Sequence, residues 1–410
     1  MTKDSKFKVL FIVYIDKAGG DATLVSLVVN QLKSVGIDVF FLSPKTSGQL
    51  LKQRGFSGEI VDLNTIYIFT DKYIKIIKPD VILFSNSPTI IPPSISIEQQ
   101  FMPIYDFIRF LCEYNIPVYT FSVCPAPKDK INFDTFKKFF PDSLKFIFPC
   151  PYTQPYYKND RIFYWQAYAQ QRLITSTKKK EVRNSFNCRK DEKLMFISTS
   201  HWWYNELPSN YHYLLMKLFI YYLSKLPFNT HLVWIAPKSA IKKLESDNIK
   251  YSNVQLHLFG GLLDMDSFEN ILLSSDVFIS EHFAQSSLIR ASMALIPTFV
   301  INNDIPIIKR PQISQNYDID ERFINNVFNE MKDSSDMCLL YGVLMNSQIY
   351  KIESFFTSVR SADLFKPDDM INSLINILTN HEFCEEILKQ QLLYCEKIKY
   401  LPLIHEIIKR

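Results

Sequence analysis

Two successive runs of short, apolar, β-rich segments, each alternating with helix-compatible stretches, constrain the fold of this chain more than any other feature. Val9 to Ile15 reads as a strand, Ala22 to Val35 carries apolar residues at helical spacing, Gly36 stops that helix, and Asp38 to Leu42 reads as the next strand. That is a βαβ unit. Further strands are expected over Glu59 to Leu63, Asp80 to Phe84, Pro117 to Phe121 and Lys145 to Phe148, with helices over Thr70 to Ile77 and Met102 to Tyr114. Arg172 to Lys193 then turns polar and charged, with Lys178, Lys179 and Lys180 in a row, and reads as a solvated linker. A second cycle follows. Its strands are expected over Leu194 to Ser198, His231 to Ile235, Val254 to Leu258, Val277 to Ser280 and Thr298 to Ile301. Its helices are expected over Tyr211 to Lys225, Ala240 to Asp247, Phe268 to Ser274 and Ser286 to Ala294, and from Glu321 onward the chain reads as mostly helical. Strands that alternate with helices imply a doubly wound parallel sheet, because right-handed crossovers lay the helices on both faces. The expectation is an α/β protein with two Rossmann-like domains.

Length agrees, since 410 residues are too many for one typical core. A hydrophobic fraction of 47% leaves ample material to bury. A net charge of +4 is near neutral for this length and argues against a nucleic-acid partner. With only 9 glycines, glycine-rich phosphate loops are few at most. The seven cysteines (Cys112, Cys124, Cys150, Cys188, Cys338, Cys384 and Cys395) show neither a CxxC pair nor a zinc-finger spacing, which suits a reducing compartment. The apolar run near the N-terminus reads as the first strand of an α/β domain rather than a signal-peptide core. No window approaches the roughly 18 apolar residues of a membrane span. A cytoplasmic location is expected.

The chemistry concentrates in Phe278 to Pro297, FISEHFAQSSLIRASMALIP. An apolar strand ends at an acidic and a basic side chain, small and hydroxyl residues follow, and a helical run closes on proline. This is the layout of an anion site, because the first turn of a helix offers unpaired N–H groups and the positive end of its dipole. A lone His282 would more readily be a capping or core histidine. Placed on a loop after a strand of an open α/β sheet, it reads instead as part of a nucleotide site.

The same stretch resembles, in register, the signature of glycosyltransferases of the UDP-glycosyltransferase type, a His-Gly-Gly-x-Asn-Ser-Thr-x-Glu-Ala-Leu run ending at Gly-Val-Pro. His282 falls on the His, Ser286 and Ser287 on Asn-Ser, Ala291 on Ala and Pro297 on Pro. Phe283 and Ala284 replace the glycines, Leu295 replaces the later Gly, and Arg290 stands where the family has its ribose-binding Glu. The resemblance implies the GT-B architecture: two Rossmann-like domains facing a cleft, with C-terminal helices that cross back to the N-terminal domain. The expected organisation is an N-terminal acceptor-side domain over 1–175, a linker over 176–192, a nucleotide-sugar domain over 193–380 and closing helices over 381–410.

It also implies roles. The family keeps its base in a Gly-His-x-x-Pro or Gly-Asp-x-x-Pro segment that opens the first helix, and here Gly20-Asp21 holds that place without the proline. Asp21 is the candidate base, with a helix cap as the competing role and Asp16 as the fallback. Ser200 falls on the Ser of the family's phosphate-contacting loop. Arg290 reads as a surface helix residue or as a guanidinium that answers phosphate. Asp304, beside Asn302 and Asn303, is the candidate for reading sugar hydroxyls. The family's uracil platform is not recognisable in Phe259-Gly260-Gly261, so the donor base stays open. Trp165 belongs to an aromatic cluster that core packing explains; stacking on an acceptor is its other reading, and with Gly20 it completes the acceptor-side candidates. Asp264-x-Asp266 and Asp318-x-Asp320 have the letters of a metal-binding pair but read as loops.

The implied activity is a metal-independent, inverting transfer of a sugar from a nucleotide-diphosphate sugar to a small-molecule, peptide or glycan acceptor, with the donor as substrate and no cofactor. A non-catalytic GT-B-like auxiliary or binding protein, or a nucleotide-sugar epimerase of the same fold, remains open.

Overall fold

The computed structural model describes residues 6–14, 19–85, 95–121, 140–150, 159–167, 174–199, 209–261, 263–281, 285–302, 310–333 and 358–410, with isolated positions at 134, 138 and 157. At 19–24, 46, 50, 95–103, 209, 265 and 333 the helix backbone alone is described.

Two sheets organise the chain. The first contains β1 (Lys8–Val13), β2 (Asp38–Ser43), β3 (Gly58–Ile60), β4 (Val81–Ser85), β5 (Val118–Phe121), β6 (Lys145–Cys150) and β7 (Ile162–Gln166), in the order β3-β2-β1-β4-β5-β6-β7. Every pairing is parallel. The second contains β8 (Lys193–Ser198), β9 (Thr230–Ala236), β10 (Val254–Gly260), β11 (Val277–Ser280), β12 (Thr298–Asn302) and β13 (Arg360–Asp363), in the order β10-β9-β8-β11-β12-β13, again all parallel. Both sheets therefore reverse direction of growth once, between β1 and β4 and between β8 and β11, as a doubly wound sheet does. Helices on both faces explain the continuous apolar strands: all seven residues of β9 are buried, and so are five of the six in β1.

The chain divides into two compact units, one of residues 1–169 with 398–410 and one of residues 170–397. In the first, α1 (Gly19–Ser34) follows β1. Gln31 of α1 is buried, and its amide joins three segments: Nε2 donates to Gln166 O at 3.0 Å, while Oε1 accepts from Trp165 Nε1 at 2.8 Å and from Ile404 N at 3.2 Å. A buried amide satisfied on both ends specifies which partners meet. The short helix Ile404–Ile408 is thereby tied to α1 and β7. Gly58 has a steric cause: a Cβ there would meet the Phe41 ring at 2.3 Å and the Phe41 carbonyl at 2.4 Å.

In the second unit the charged stretch around Lys178–Lys180 forms a helix, Ser176–Ser185, whose N-cap Thr175 accepts from Lys178 N at 3.1 Å. Arg183 fixes its end by donating to Asp276 Oδ2 at 2.8 Å and to Glu192 O at 2.7 Å. At the far end of the unit, the long helix His381–Ile398 is anchored by the buried Gln391, which donates to Ile296 O at 2.9 Å. Among the described residues no helix is long and apolar enough to cross a membrane.

Candidate functional site

The order of the second sheet singles out one place. The chain passes from β8 and from β11 toward opposite sides of the sheet, which makes their C-terminal ends the topological switch point where ligands of open α/β sheets sit. Ile279 pairs with Ile197, which brings Ser280 and Glu281 beside Ser198 and Thr199.

Side chains tie the two strand ends together. Thr199 Oγ1 donates to Glu281 Oε1 at 2.6 Å, and Trp234 Nε1 of β9 donates to Thr199 Oγ1 at 3.0 Å. Gln285 is buried; its Nε2 donates to Ser198 O and its Oε1 accepts from Ser280 Oγ. Residues 281 and 285 are thus both held against β8. Gln285 is also the N-cap of the helix Ser286–Met293, but its side chain, engaged with the two serines, makes no capping bond. In the first turn of that helix, where Ser286 and Ser287 are half-buried, the Gln285 carbonyl accepts from Leu288 N at 3.1 Å and Ile289 N at 3.3 Å, and no side-chain cap answers the N–H groups ahead of them.

Glu281 is the electrostatic centre of the arrangement. The residue keeps partial exposure, yet its Oε2 is buried and has no hydrogen-bond partner among the described residues. Burial pushes its carboxyl up to about 7, against the opposing pull of the Thr199 hydroxyl. Near neutral pH this group both holds and releases a proton, and a buried orphan oxygen is a place for an incoming partner.

The residues singled out from the sequence distribute as follows. Ser286 and Ser287 lie on the first turn after the β11 loop. Arg290, on the next turn, pairs with Glu269 of the helix Met265–Ser274 and stacks over Phe268 at 5.5 Å. Ser200, His282 and Asp304 lie outside the described residues, as does Asp16. Gly20 and Asp21 are in the first turn of α1, after β1 at the switch point of the first sheet, with only their backbone described. Trp165 is fully buried in β7, bonded to Gln31 and edge-on to Phe121 at 5.5 Å. Asp264 caps a helix by accepting from Ser267 N at 2.9 Å, and Asp320 accepts from Arg322 N at 3.0 Å and Phe323 N at 3.1 Å. Both aspartate pairs are therefore read by the structure as helix starts.

Glu281, Gln285 and Thr199 were missed as site residues. The signal available for Glu281 was an acid directly after a buried apolar strand. Near β12, Asn302, Ser361, Asp363, Lys366, Asn372 and Asn376 line a polar cavity of about 330 Å³.

Comparison with known proteins bears on the fold. The family described as "Family of unknown function (DUF6365)" matches residues 28–410. No curated protein matches by sequence. Among solved structures, the spinosyn forosaminyltransferase SpnP is similar with a TM-score of 0.57 at 12% identity, covering 99% of this chain and 98% of its own. MurG of Acinetobacter baumannii gives 0.51 at 11% identity, with 98% of both chains covered. The S. aureus MnaA–UDP co-structure gives 0.54 at 9%, covering 97% of this chain and 96% of that one. With two parallel sheets of matching type, the chain has the GT-B fold, in a divergent sequence.

Proposed function

This chain belongs to the DUF6365 family, and we propose that it is a nucleotide-sugar-dependent glycosyltransferase that holds its donor's diphosphate at the C-terminal edge of the second sheet. The observation that carries the reading is the β8–β11 switch point. There Gln285 pins the strand ends together; among the described residues the helix Ser286–Met293 has no side-chain cap and Glu281 Oε2 has no hydrogen-bond partner. Phosphate oxygens answer the helix N–H groups and the Ser286 and Ser287 hydroxyls. His282 and Ser200 complete the donor set, and Asp304 reads the sugar hydroxyls. Arg290 contributes by fixing the helix through Glu269.

In the transfer, the acceptor oxygen attacks the anomeric carbon and the bond from that carbon to the diphosphate breaks. Asp21 takes the acceptor's proton, and the diphosphate leaves with its charge held by the helix N-terminus. No metal is required in this scheme, and the configuration inverts. SpnP is named as a forosaminyltransferase, and MnaA is named in complex with UDP; both fit a nucleotide-sugar ligand.

A screen of nucleotide sugars by thermal shift is the first test, since a ligand of the native state raises the midpoint. Asp21→Asn is the second: transfer falls by at least ~100-fold with donor binding retained, because Asn keeps the shape but accepts no proton. Normal turnover in that variant removes Asp21 from the mechanism. One observation favours a second reading. Glu281 holds a proton near neutrality, as the acid of a nucleotide-sugar epimerase does, and turnover of donor without any acceptor would select it. Binding without turnover would select a non-catalytic auxiliary.

A further inference from the structure

At the N-terminal edge of the second sheet, remote in sequence from the β8–β11 loops, three different ligand types converge. Cys188 Sγ, a Glu192 carboxylate oxygen and a His231 ring nitrogen lie within 4.8 Å of one another. All three residues are buried, Cys188 at 3%, Glu192 at 5% and His231 at 0% exposure. The backbone sets this up. Arg189 O accepts from Glu192 N at 3.3 Å, which folds the segment before β8 into a turn that brings Cys188 and Glu192 to the same side. Arg183 clamps that turn by donating to Arg189 O at 3.2 Å and to Glu192 O at 2.7 Å. His231 then enters from β9, and its Nε2 lies 3.0 Å from Glu192 Oε2.

We propose that Cys188 Sγ, Glu192 Oε2 and His231 Nε2 are the protein ligands of one zinc-type divalent cation, with water in the fourth position. Sulfur, nitrogen and carboxylate oxygen are the ligand set of zinc, and tetrahedral bonds of roughly 2.0–2.3 Å place ligand atoms roughly 3.3–3.6 Å apart. The Glu192 and His231 atoms already meet that spacing to within a few tenths of an ångström, and Cys188 Sγ, within 4.8 Å of them, has to leave its 3.7 Å bond to Arg189 O to join them. The surrounding shell is in place. Glu192 Oε1 is held by Arg189 Nη2 at 2.8 Å and Asn229 Nδ2 at 3.3 Å, and Oε2 keeps the Arg189 backbone N–H at 2.8 Å. His231 Nδ1 lies 3.2 Å from His257 Nε2, the partner a metal-bound imidazole needs on its other nitrogen. On binding, the thiol releases its proton to solvent. The single ring proton of neutral His231 resides on Nδ1 and is donated to His257. Arg189 opposes the cation, but its side chain is 67% exposed, so solvent screens its charge. The cation would fasten the segment after helix Ser176–Ser185 to β9, a structural role separate from sugar transfer.

The test uses the full chain, reduced and stripped of metal with a chelator, titrated with Co²⁺ and then Zn²⁺. The expected result is one equivalent of Co²⁺ with a thiolate-to-cobalt absorption band, displacement of that band by Zn²⁺, and a raised melting midpoint in zinc. Cys188→Ser abolishes the band, and His257→Gln preserves it while weakening affinity by about 10- to 100-fold. X-ray absorption of the zinc-loaded wild type needs no variant: one sulfur at about 2.3 Å is expected. Absence of the cobalt band, its persistence in Cys188→Ser, or a zinc shell of nitrogen and oxygen alone overturns the proposal.

Discussion

Two glutamates, Glu192 buried and Glu281 partly exposed with one carboxylate oxygen buried, mark opposite edges of the second sheet and titrate in opposite directions. Glu281, after β11, has a single hydroxyl donor on one oxygen and none on the other, and burial pushes its carboxyl up to about 7. Glu192, before β8, accepts the Arg189 backbone N–H, the Arg189 guanidinium, the His231 ring and the Asn229 amide, and is held down to about 2 against its own burial. Burial disfavours charge at both; the number of donors decides the sign. At Glu192 the protein's own donors hold the carboxylate as an anion, whereas at Glu281 one oxygen is left without a donor.

The largest expected effect breaks the saturated side. Glu192→Ala strands the His231 ring N–H and the Arg189 backbone N–H without an acceptor, and should cost about 3 kcal/mol in chemical denaturation. A loss below about 1 kcal/mol would mean that water replaces the carboxylate and that the two edges do not differ in kind. Glu281→Gln should do the opposite. The folded carboxyl, near 7, keeps a proton that the unfolded one, near 4.5, releases, so wild-type stability contributed by this group is present below 4.5 and lost as pH rises through 7. Removing the titration should raise stability at pH 8 by up to ~2–3 kcal/mol and leave it nearly unchanged at pH 4, read from melting midpoints across that range. A parallel profile for wild type and variant would deny Glu281 its shifted carboxyl. The smallest effect is at the other end of the helix that Gln285 starts. Leu295 has φ 56°, the left-handed conformation that costs a branched side chain about 1 kcal/mol or more, and Ile296 N bonds back to Ala291 O at 3.0 Å. Leu295→Gly should stabilise by ~0.5–1 kcal/mol once the unfolded-state entropy of glycine is subtracted, and a drop in midpoint would show that the Leu295 side chain packs better than its backbone suffers.

Leu295 also shows how far the sequence could be read. It stands where the family has Gly, and the structure gives it the left-handed backbone that glycine adopts most easily. The strands were legible because parallel strands buried on both faces are unbroken apolar runs, as in β9. β7, Ile162–Gln166, passed as a mere aromatic cluster because no helix-compatible stretch separates it clearly from β6. β13, Arg360–Asp363, was not read at all: its RSAD sequence is polar, as an edge strand with one neighbour can be. The charged 176–185 stretch reads as linker by composition, yet Thr175 is a good N-cap and Arg183 finds Asp276 across the unit. For the site, the sequence pointed to the loop after β11 and the turn of Ser286 and Ser287. It did not point to Gln285, whose role depends on Ser198 O of another strand.

The sequence by itself determined the alternation of strands and helices, and with it two doubly wound sheets, because burial period and turn chemistry are properties of neighbouring residues. Only the tertiary structure decided what the polar residues do. Cys188 and His231 have no motif spacing, and the fold brings them together. Glu281 and Glu192 are the same letter after and before an apolar strand; Arg189, joined by His231 and Asn229 from the β9 segment, holds Glu192 as an anion, whereas Glu281 meets one hydroxyl, that of Thr199. Arg189 is a local donor, but His231, Asn229 and Thr199 reach their glutamates only because separate segments meet in space, and no local pattern carries that part of the hydrogen bonding.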